Sequence, residues 1–597
     1  MATSRPPEPA ARTADPSLAV GRRRLRLVAL GFAAACCSIG LRLADMVEWR
    51  FAPVLPPADV ASATAGVPGE AFLPTVVDPN THPASRADIL DRNGVVLATN
   101  LRVPGVHADP SLLADKAAAA RRLAAILPGV DAQELQRRFE SGRRFAWVKH
   151  RITPEEQAAV LELGLPGVAF RAAEHRVYPK AHLASHLAGF VDIDGRGMAG
   201  IERSLDERLR RSAEPVVLSL DVRVQQIVRE ELAAAHGRFR SVGANAMVLD
   251  LATGELLAMV SLPDFDPNRI GDVRRIEYLN RNTGEAYELG SVFKILTIAM
   301  ALDSGRVSLR ERFDATGKLR IGRHRIGDDH AENRWLSVPE IFEYSSNIGS
   351  ARMAIAAGGA APLEEFFRRV GFYAAPEVEI VEAVRARTPE RWAEVTVATT
   401  SFGHGIAVSP LQFLDAVAGV VGDGTRVAPT LLKRSRGDAA AAPRTRIVSA
   451  ESAATMRWLM WLAVDQGTGV RAKLASYLVG GKTGTAEKPG RGGYSLDRVL
   501  ASFVGAFPIH DPRYLVFVSL DEPNGDAGTY GFRYGGWTAA PVVAAIVDRI
   551  GPVLGVPPTP PEIARAMRDR LEALKLRERH ASASHQEASI ALGSARR

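Results

Sequence analysis

Ser291 and Lys294 lie three positions apart at the start of an apolar run, YELGSVFKILTIAMALDSG. A serine hydroxyl is a weak nucleophile until a neighbour takes its proton. A lysine amine can take it once burial or a second cation has lowered its pKa toward neutrality. Positions i and i+3 share one face of a helix. The spacing therefore predicts a helix from Ser291 to about Gly305 with hydroxyl and amine in reach of each other. Two more groups follow: Ser345 and Asn347 in YSSNIG, and Lys482, Thr483 and Gly484 in GGKTGTAEK. Each has a plain reading when taken alone. Ser291 would be a helix N-cap, Asn347 a turn residue, and Lys-Thr-Gly an ordinary turn. In this order, roughly 50 and then roughly 140 residues apart, the three form one set.

Lysine usage sharpens the set. Of the chain's ten lysines, only Lys294 has a serine three positions before it, and only Lys482 begins a Lys-Thr-Gly. Only Asn347 among the asparagines has a serine two before it. Arginine supplies nearly all the positive charge, and arginine cannot lose its proton. Lys294 beside Lys482 in one cleft would lower both pKa values. The first turn of a helix leaves backbone N–H groups free, one of which can hold a developing oxyanion. The second donor would come from a facing edge strand, for which KTGTA is the candidate. Gly481 and Gly484 would let a substrate approach that backbone. Ser345 would relay a proton, and Asn347 would hold a substrate amide.

These groups need a scaffold. GANAMVLDLATGELLAMVSLP reads as two strands joined at Ala-Thr-Gly, and ASFVGAFP and RYLVFVSLDEP as two more. Strands at both ends with helices between them predict an α/β sheet carrying a helical insert. Residues 215–554 form this domain, with the boundary placed where EPVVLSLDVRVQQIVREELAAA runs from strand into helix. A first folded region spans 86–214. It opens on RADILDRNGVVLATN, a hairpin signal, and contains the helical stretches KAAAARRLAAIL and PEEQAAVLEL. Residues 555–597 read as a Pro-rich linker, a short charged helix and a polar tail.

The chain has 597 residues, 46% of them apolar, and a formal net charge of +8. Its arginines are scattered rather than gathered in a stripe, which argues against a nucleic-acid reader. Cys36 and Cys37 are the only cysteines, so neither a disulfide framework nor a metal spacing exists, and no cofactor is implied. Residues 1–21 are rich in Pro, Ala and Arg and read as a disordered cytoplasmic segment. Residues 22–46 follow Arg22, Arg23, Arg24 and Arg26 with an apolar run, and read as a transmembrane anchor with its N-terminus in the cytoplasm. A cleaved signal peptide, a lipid-modified cysteine and a buried helix are the rival readings. Residues 47–85 read as an extended connector.

The three motifs together resemble those of the penicillin-binding proteins and serine β-lactamases. The flanks RADILDRNG, HRVYPKAHLASHLAGFVDIDGRGMAGIERSLD, SLDVRVQQ and SFGHGIAVSPLQ resemble class B penicillin-binding proteins. WLSVPEIFEYSSNIGSARMA and the Ser291 segment are most similar to the cell-division D,D-transpeptidases of Gram-negative bacteria. The resemblance spans roughly Arg86 to Leu554 plus the anchor. It implies a transpeptidase domain of the serine β-lactamase-like fold, with an antiparallel sheet and a helical subdomain, standing on an α+β pedestal of the dimerisation type. Ser291 would attack a D-Ala-D-Ala stem peptide or its lipid-linked precursor, and an amine on a neighbouring stem would take the acyl group. Thr483 and Thr485 would bind the terminal carboxylate, supported by Lys482. The Ser291 and Thr485 N–H groups would form the oxyanion hole. β-Lactam antibiotics would acylate Ser291. The chain would sit in the inner membrane with its catalytic domain in the periplasm, at the septum, beside a partner glycosyltransferase and division proteins. The family commonly has proline at Leu289, a small hydroxyl residue at Val292, glycine at Ala87 and threonine at Ser219; the first two departures would alter the cleft rim and β-lactam affinity.

Rival functions remain at this point. A class A β-lactamase deacylates with a Glu-x-x-x-Asn element, and no asparagine occurs between Asn347 and Asn524. A D,D-carboxypeptidase would pass the acyl group to water. An elongation-type transpeptidase differs only in where it works. A β-lactam sensor or division scaffold would use the same pocket without turnover.

Overall fold

The computed structural model describes residues 86–490 and 493–573. The anchor read at 22–46, its flanks at 1–21 and 47–85, and the end of the C-terminal tail lie outside these residues. Among the described residues no helix is long and apolar enough to cross a membrane.

The first region opens with the expected hairpin. Strand β1 (Ile89–Leu90) turns into β2 (Val96–Ala108). The Asp91 carboxylate accepts from the N–H groups of Asn93 and Val95 at 2.7 and 2.8 Å, and Gly94 takes φ +84°. This is an Asx-type turn, which explains Asp and Gly at those places. Helices α1 (Lys116–Ile126), α2 (Ala132–Glu140) and α3 (Pro154–Glu162) are capped by Asp115, Asp131 and Thr153. Strands β3 (Ala146–Lys149) and β4 (Val168–Val177) both pair antiparallel with β2. Val106, Leu123, Leu127, Phe139 and Val148 close a core between strands and helices.

The neck above this core is held by charge. Glu202, fully buried, accepts from Arg86 Nε at 2.6 Å and from Arg176 Nε at 2.7 Å, while Arg86 also reaches Asp206 at 2.7 Å. Three flanks that carry the family resemblance, RADILDRNG, HRVYP and GIERSLD, thus meet in one buried cluster. Strand β5 (Val216–Val217) then runs parallel to β1, and Leu218 bridges to Leu432 on its other side. The strand that begins the second region in sequence therefore completes the sheet of the first in space.

The second region is built on a five-stranded antiparallel sheet. In chain order come α4 (Val222–Phe239), β6 (Gly243–Asp250), β7 (Leu256–Leu262), α5 (Lys294–Asp303), α6 (Val338–Glu343), α7 (Asn347–Ala356), α8 (Pro410–Val421) and α9 (Ala450–Asp465). Strands β8 (Gly480–Gly490), β9 (Gly493–Phe507) and β10 (Tyr514–Asp521) and helix α10 (Ala539–Val553) complete it. The strand order is β8-β9-β10-β6-β7, so β8 is an edge, as the KTGTA reading requires. Both faces are covered. Ala244, Ala246, Val248, Val516 and Val518 pack with α4 and α10, while Met247, Leu249, Leu515 and Phe517 face the helical insert. Alternate side chains point to opposite faces, which explains why these strands read as unbroken apolar runs. Helix α5 is buried from Lys294 to Ala301 and forms the spine of the insert.

Candidate active site

A single turn of 3-10 helix, Gly290–Phe293, precedes α5. Residues i and i+3 eclipse in that geometry, so Ser291 and Lys294 stand directly in line. Lys294 Nζ lies 2.9 Å from Ser291 Oγ. The same nitrogen donates to the Ser345 carbonyl at 2.6 Å and to Asn347 Oδ1 at 2.7 Å, with Ser345 Oγ at 3.2 Å. Lys482 Nζ donates to Ser345 Oγ at 2.8 Å. The three sequence motifs therefore converge on one pair of buried amines.

Protonation follows from this geometry. Both lysines are 0% exposed. Burial pushes Lys294 down to about 7, against the pull of the Asp328 and Asp329 carboxylates. Burial also pushes Lys482 well below its ordinary value, and the charge of Lys294 adds to this. The two closest acceptors of Lys294, a carbonyl and an amide oxygen, can only accept. A neutral amine spends its two protons on them and turns its lone pair to Ser291.

The support of these groups is specific. Ser345 adopts φ +59°, a region that strains a residue with a side chain, and this places its carbonyl and hydroxyl on the two amines. Ser346 caps α7 by accepting from Gly349 N–H at 2.9 Å. The Asp328 carboxylate accepts from the N–H groups of Asn347 and Ile348 at 2.5 and 2.9 Å and from the Ser346 hydroxyl at 2.7 Å. No fixed spacing ties Asp328 to the motifs, so sequence reasoning passed over it.

Ser291 is pressed against the edge strand. Gly290 takes φ +62°, and a Cβ there would lie 2.5 Å from the Thr485 carbonyl. Ser291, Ser345, Thr483 and Thr485 line one cleft with Thr468, Arg471, Tyr534 and Trp537. Thr483 Oγ1 is 2.8 Å from Thr468 Oγ1, and Thr485 Oγ1 accepts from Gly535 N–H at 3.2 Å. The Arg471 guanidinium lies 3.2 Å from the centre of the Trp537 ring, fixing a cation at the mouth. Thr468, Arg471 and Trp537 carry no motif and emerge only in the fold.

Some expectations change. The space a Gly484 side chain would need is taken by the Leu289 carbonyl, the Ser502 hydroxyl and Val292. A Gly481 side chain would strike the Phe503 ring. Both glycines let the chain pack on itself rather than admit a substrate. Leu289 and Val292 are fully buried beneath the turn, not on the cleft rim. The Asn347 amide also orients Lys294, with Oδ1 on the amine at 2.7 Å and Nδ2 on the Gly327 carbonyl at 3.2 Å.

A serine with a neutralisable amine, a second buried lysine behind it and an edge strand in front define a serine acyltransferase built on a helix-covered antiparallel sheet. The comparisons narrow this class. Residues 244–548 match the family model of the penicillin binding protein transpeptidase domain, and residues 81–233 that of the penicillin-binding protein dimerisation domain. The chain belongs to the class B penicillin-binding proteins. It is 39% identical to a probable peptidoglycan D,D-transpeptidase FtsI of Caulobacter vibrioides, over 79% of this chain and 82% of that one. It is 32% identical to a probable peptidoglycan D,D-transpeptidase PenA of Neisseria meningitidis, over 83% and 88%. Among solved structures, penicillin binding protein 3 of Mycobacterium tuberculosis in complex with aztreonam aligns with a TM-score of 0.63 at 25% identity, over 80% of this chain and 98% of that one.

Proposed function

We propose that this chain is the serine D,D-transpeptidase that cross-links stem peptides of the septal cell wall. The Lys294–Ser291 contact at 2.9 Å, with both lysines buried, is the observation that carries the reading. Lys294 takes the proton of Ser291 as Oγ attacks the carbonyl carbon of a D-Ala-D-Ala bond. The backbone N–H groups of Ser291 and Thr485 hold the oxyanion. The Thr483 and Thr485 hydroxyls bind the terminal carboxylate, with Lys482 supplying positive potential. Ser345, between the two amines, passes a proton to the departing D-alanine. An amine of a second stem peptide then displaces Ser291. β-Lactams, which mimic the D-Ala-D-Ala terminus, acylate Ser291 and stop there.

In this reading residues 22–46 anchor the chain in the inner membrane and the catalytic region stands outside it on residues 86–214. A glycosyltransferase and division proteins work beside it. Two measurements test the function together. A fluorescent penicillin labels the wild type and not Ser291→Ala. Mass spectrometry of a D-Ala-D-Ala donor incubated with an added amine then shows the amide product. Label on the Ser291→Ala variant, or hydrolysed peptide as the sole product, refutes it.

A further inference from the structure

Cross-linking needs a second substrate, and the cleft of Thr483 and Thr485 serves the first. Beside it lies another polar group, formed by Glu288, His404 and Tyr494. Glu288 stands three residues before Ser291. Its Oε1 accepts from the Gly405 N–H and from the Tyr494 hydroxyl, each at 3.0 Å. The His404 ring stacks on Tyr494 at 5.4 Å and 21°, and meets the edge of Phe402 at 5.4 Å. The amine of Lys294 lies 6.0 Å from the centre of that Phe402 ring. Gly403, at φ +83°, is pressed onto the Gly290 carbonyl. The group thus borders the turn that carries the nucleophile.

Two of its atoms are unfinished. Glu288 Oε2 and His404 Nε2 are both buried and have no hydrogen-bond partner. A buried polar atom left so costs stability, and Tyr494 contacts both residues that carry one here, donating to Glu288 and stacking on His404. Burial raises the Glu288 carboxyl, and no cation among the described residues pairs with it. Burial lowers His404, as does the charge of Lys294, which keeps the imidazole neutral. An ammonium group has three donors and one positive charge, which would satisfy both atoms.

We propose that Glu288 and His404 form the recognition site for the primary ammonium of the acceptor stem peptide, flanked by the half-exposed Tyr494 ring. This rests on the transpeptidase reading above. Glu288 supplies the counter-charge. His404, protonated at Nδ1, offers the Nε2 lone pair. The bound ammonium loses one proton to solvent, and its nitrogen attacks the acyl carbon. The C–N bond forms, the bond to Ser291 Oγ breaks, and a second N–H proton returns to Oγ through Lys294.

The test separates the two half-reactions in the full-length protein. Acylation is read with a fluorescent penicillin. Transfer is read as the ratio of amide to hydrolysed product from a D-Ala-D-Ala peptide donor and a peptide with one free primary amine. Glu288→Gln keeps an oxygen for Gly405 and Tyr494 but removes the charge. It is expected to lower the ratio at least about tenfold through a raised acceptor KM, with labelling within about twofold of wild type. His404→Asn should act in the same direction. An unchanged ratio in both variants, or labelling that falls in step with the ratio, overturns the proposal. A wild type that is labelled yet makes no amide overturns the transpeptidase reading itself.

Discussion

Lys482 donates to the hydroxyl of Ser345 at 2.8 Å, and the carbonyl of that same serine accepts a hydrogen bond from Lys294 at 2.6 Å. One residue thus joins two buried amines that repel each other when both are charged. The protonation of one amine is thereby coupled to that of the other.

Acylation should be steeply pH-dependent below neutrality. Lys294 acts as a neutral base and its pKa is about 7, lowered by burial from 10.5. The rate of penicillin acylation should rise through about pH 7 and fall about tenfold per unit below it. Stability has a defined sign too. Between about pH 7 and 10.5 the unfolded chain binds more protons than the folded one, so this lysine makes the fold more stable as pH rises across that window. Stopped-flow acylation and denaturant titration across pH 5.5–10 check both.

Charge placed next to Lys294 should move that midpoint predictably. Asn347→Asp puts a carboxylate where Oδ1 now lies 2.7 Å from Nζ, and the midpoint should rise by about 1–3 units. Asp328→Asn removes an attractive carboxylate, and the midpoint should fall. Asp328→Asn should also destabilise the chain by up to about 1 kcal/mol, because the amide keeps one oxygen for the two N–H groups but takes the negative charge from the first turn of α7. Midpoints shifting in the same direction would contradict this account.

Gly290→Ala should damage acylation far more than it damages folding. Its Cβ must push back the Thr485 carbonyl from 2.5 Å, and φ +62° is strained for alanine. The gap between Ser291 and β8 then widens where the oxyanion would sit. A loss of about tenfold to a thousandfold in labelling rate is expected, with the unfolding midpoint read in parallel.

Glu202→Gln should do the reverse. It leaves Arg176 buried without its counter-charge and Arg86 with Asp206 alone, at a cost of about 3–5 kcal/mol. Protein that remains folded should be labelled at the wild-type rate. Denaturant unfolding and labelling of the native fraction check the two halves.

The three motifs were legible in sequence because each is local, and a local spacing survives folding whatever surrounds it. Ser291 and Lys294 meet through a single turn, and Ser345 and Asn347 through a helix cap. The strands of the sheet were legible from their apolar runs, and the edge position of β8 from the need for a second oxyanion donor facing Ser291. What escaped is long-range. Asp328 reaches Asn347 from 19 residues away and Thr468 meets Thr483 from 15, with no periodicity to mark either. Gly481 and Gly484 misled because a missing side chain looks the same in sequence whether the room goes to a ligand or to Phe503 and Leu289. Leu289 and Val292 misled likewise, since closeness to Ser291 in sequence says nothing about which way a side chain points.

Val216–Val217 pairs with Ile89–Leu90 on one side, while the neighbouring Leu218 bridges to Leu432 on the other. A truncation at residue 215, where composition suggests a clean cut, would strip one partner and bare a β edge ready to recruit another chain. The junction between residues 86–214 and the region that follows is a seam stitched from both, so a force applied to the first would pass through hydrogen bonds into the body that holds the nucleophile.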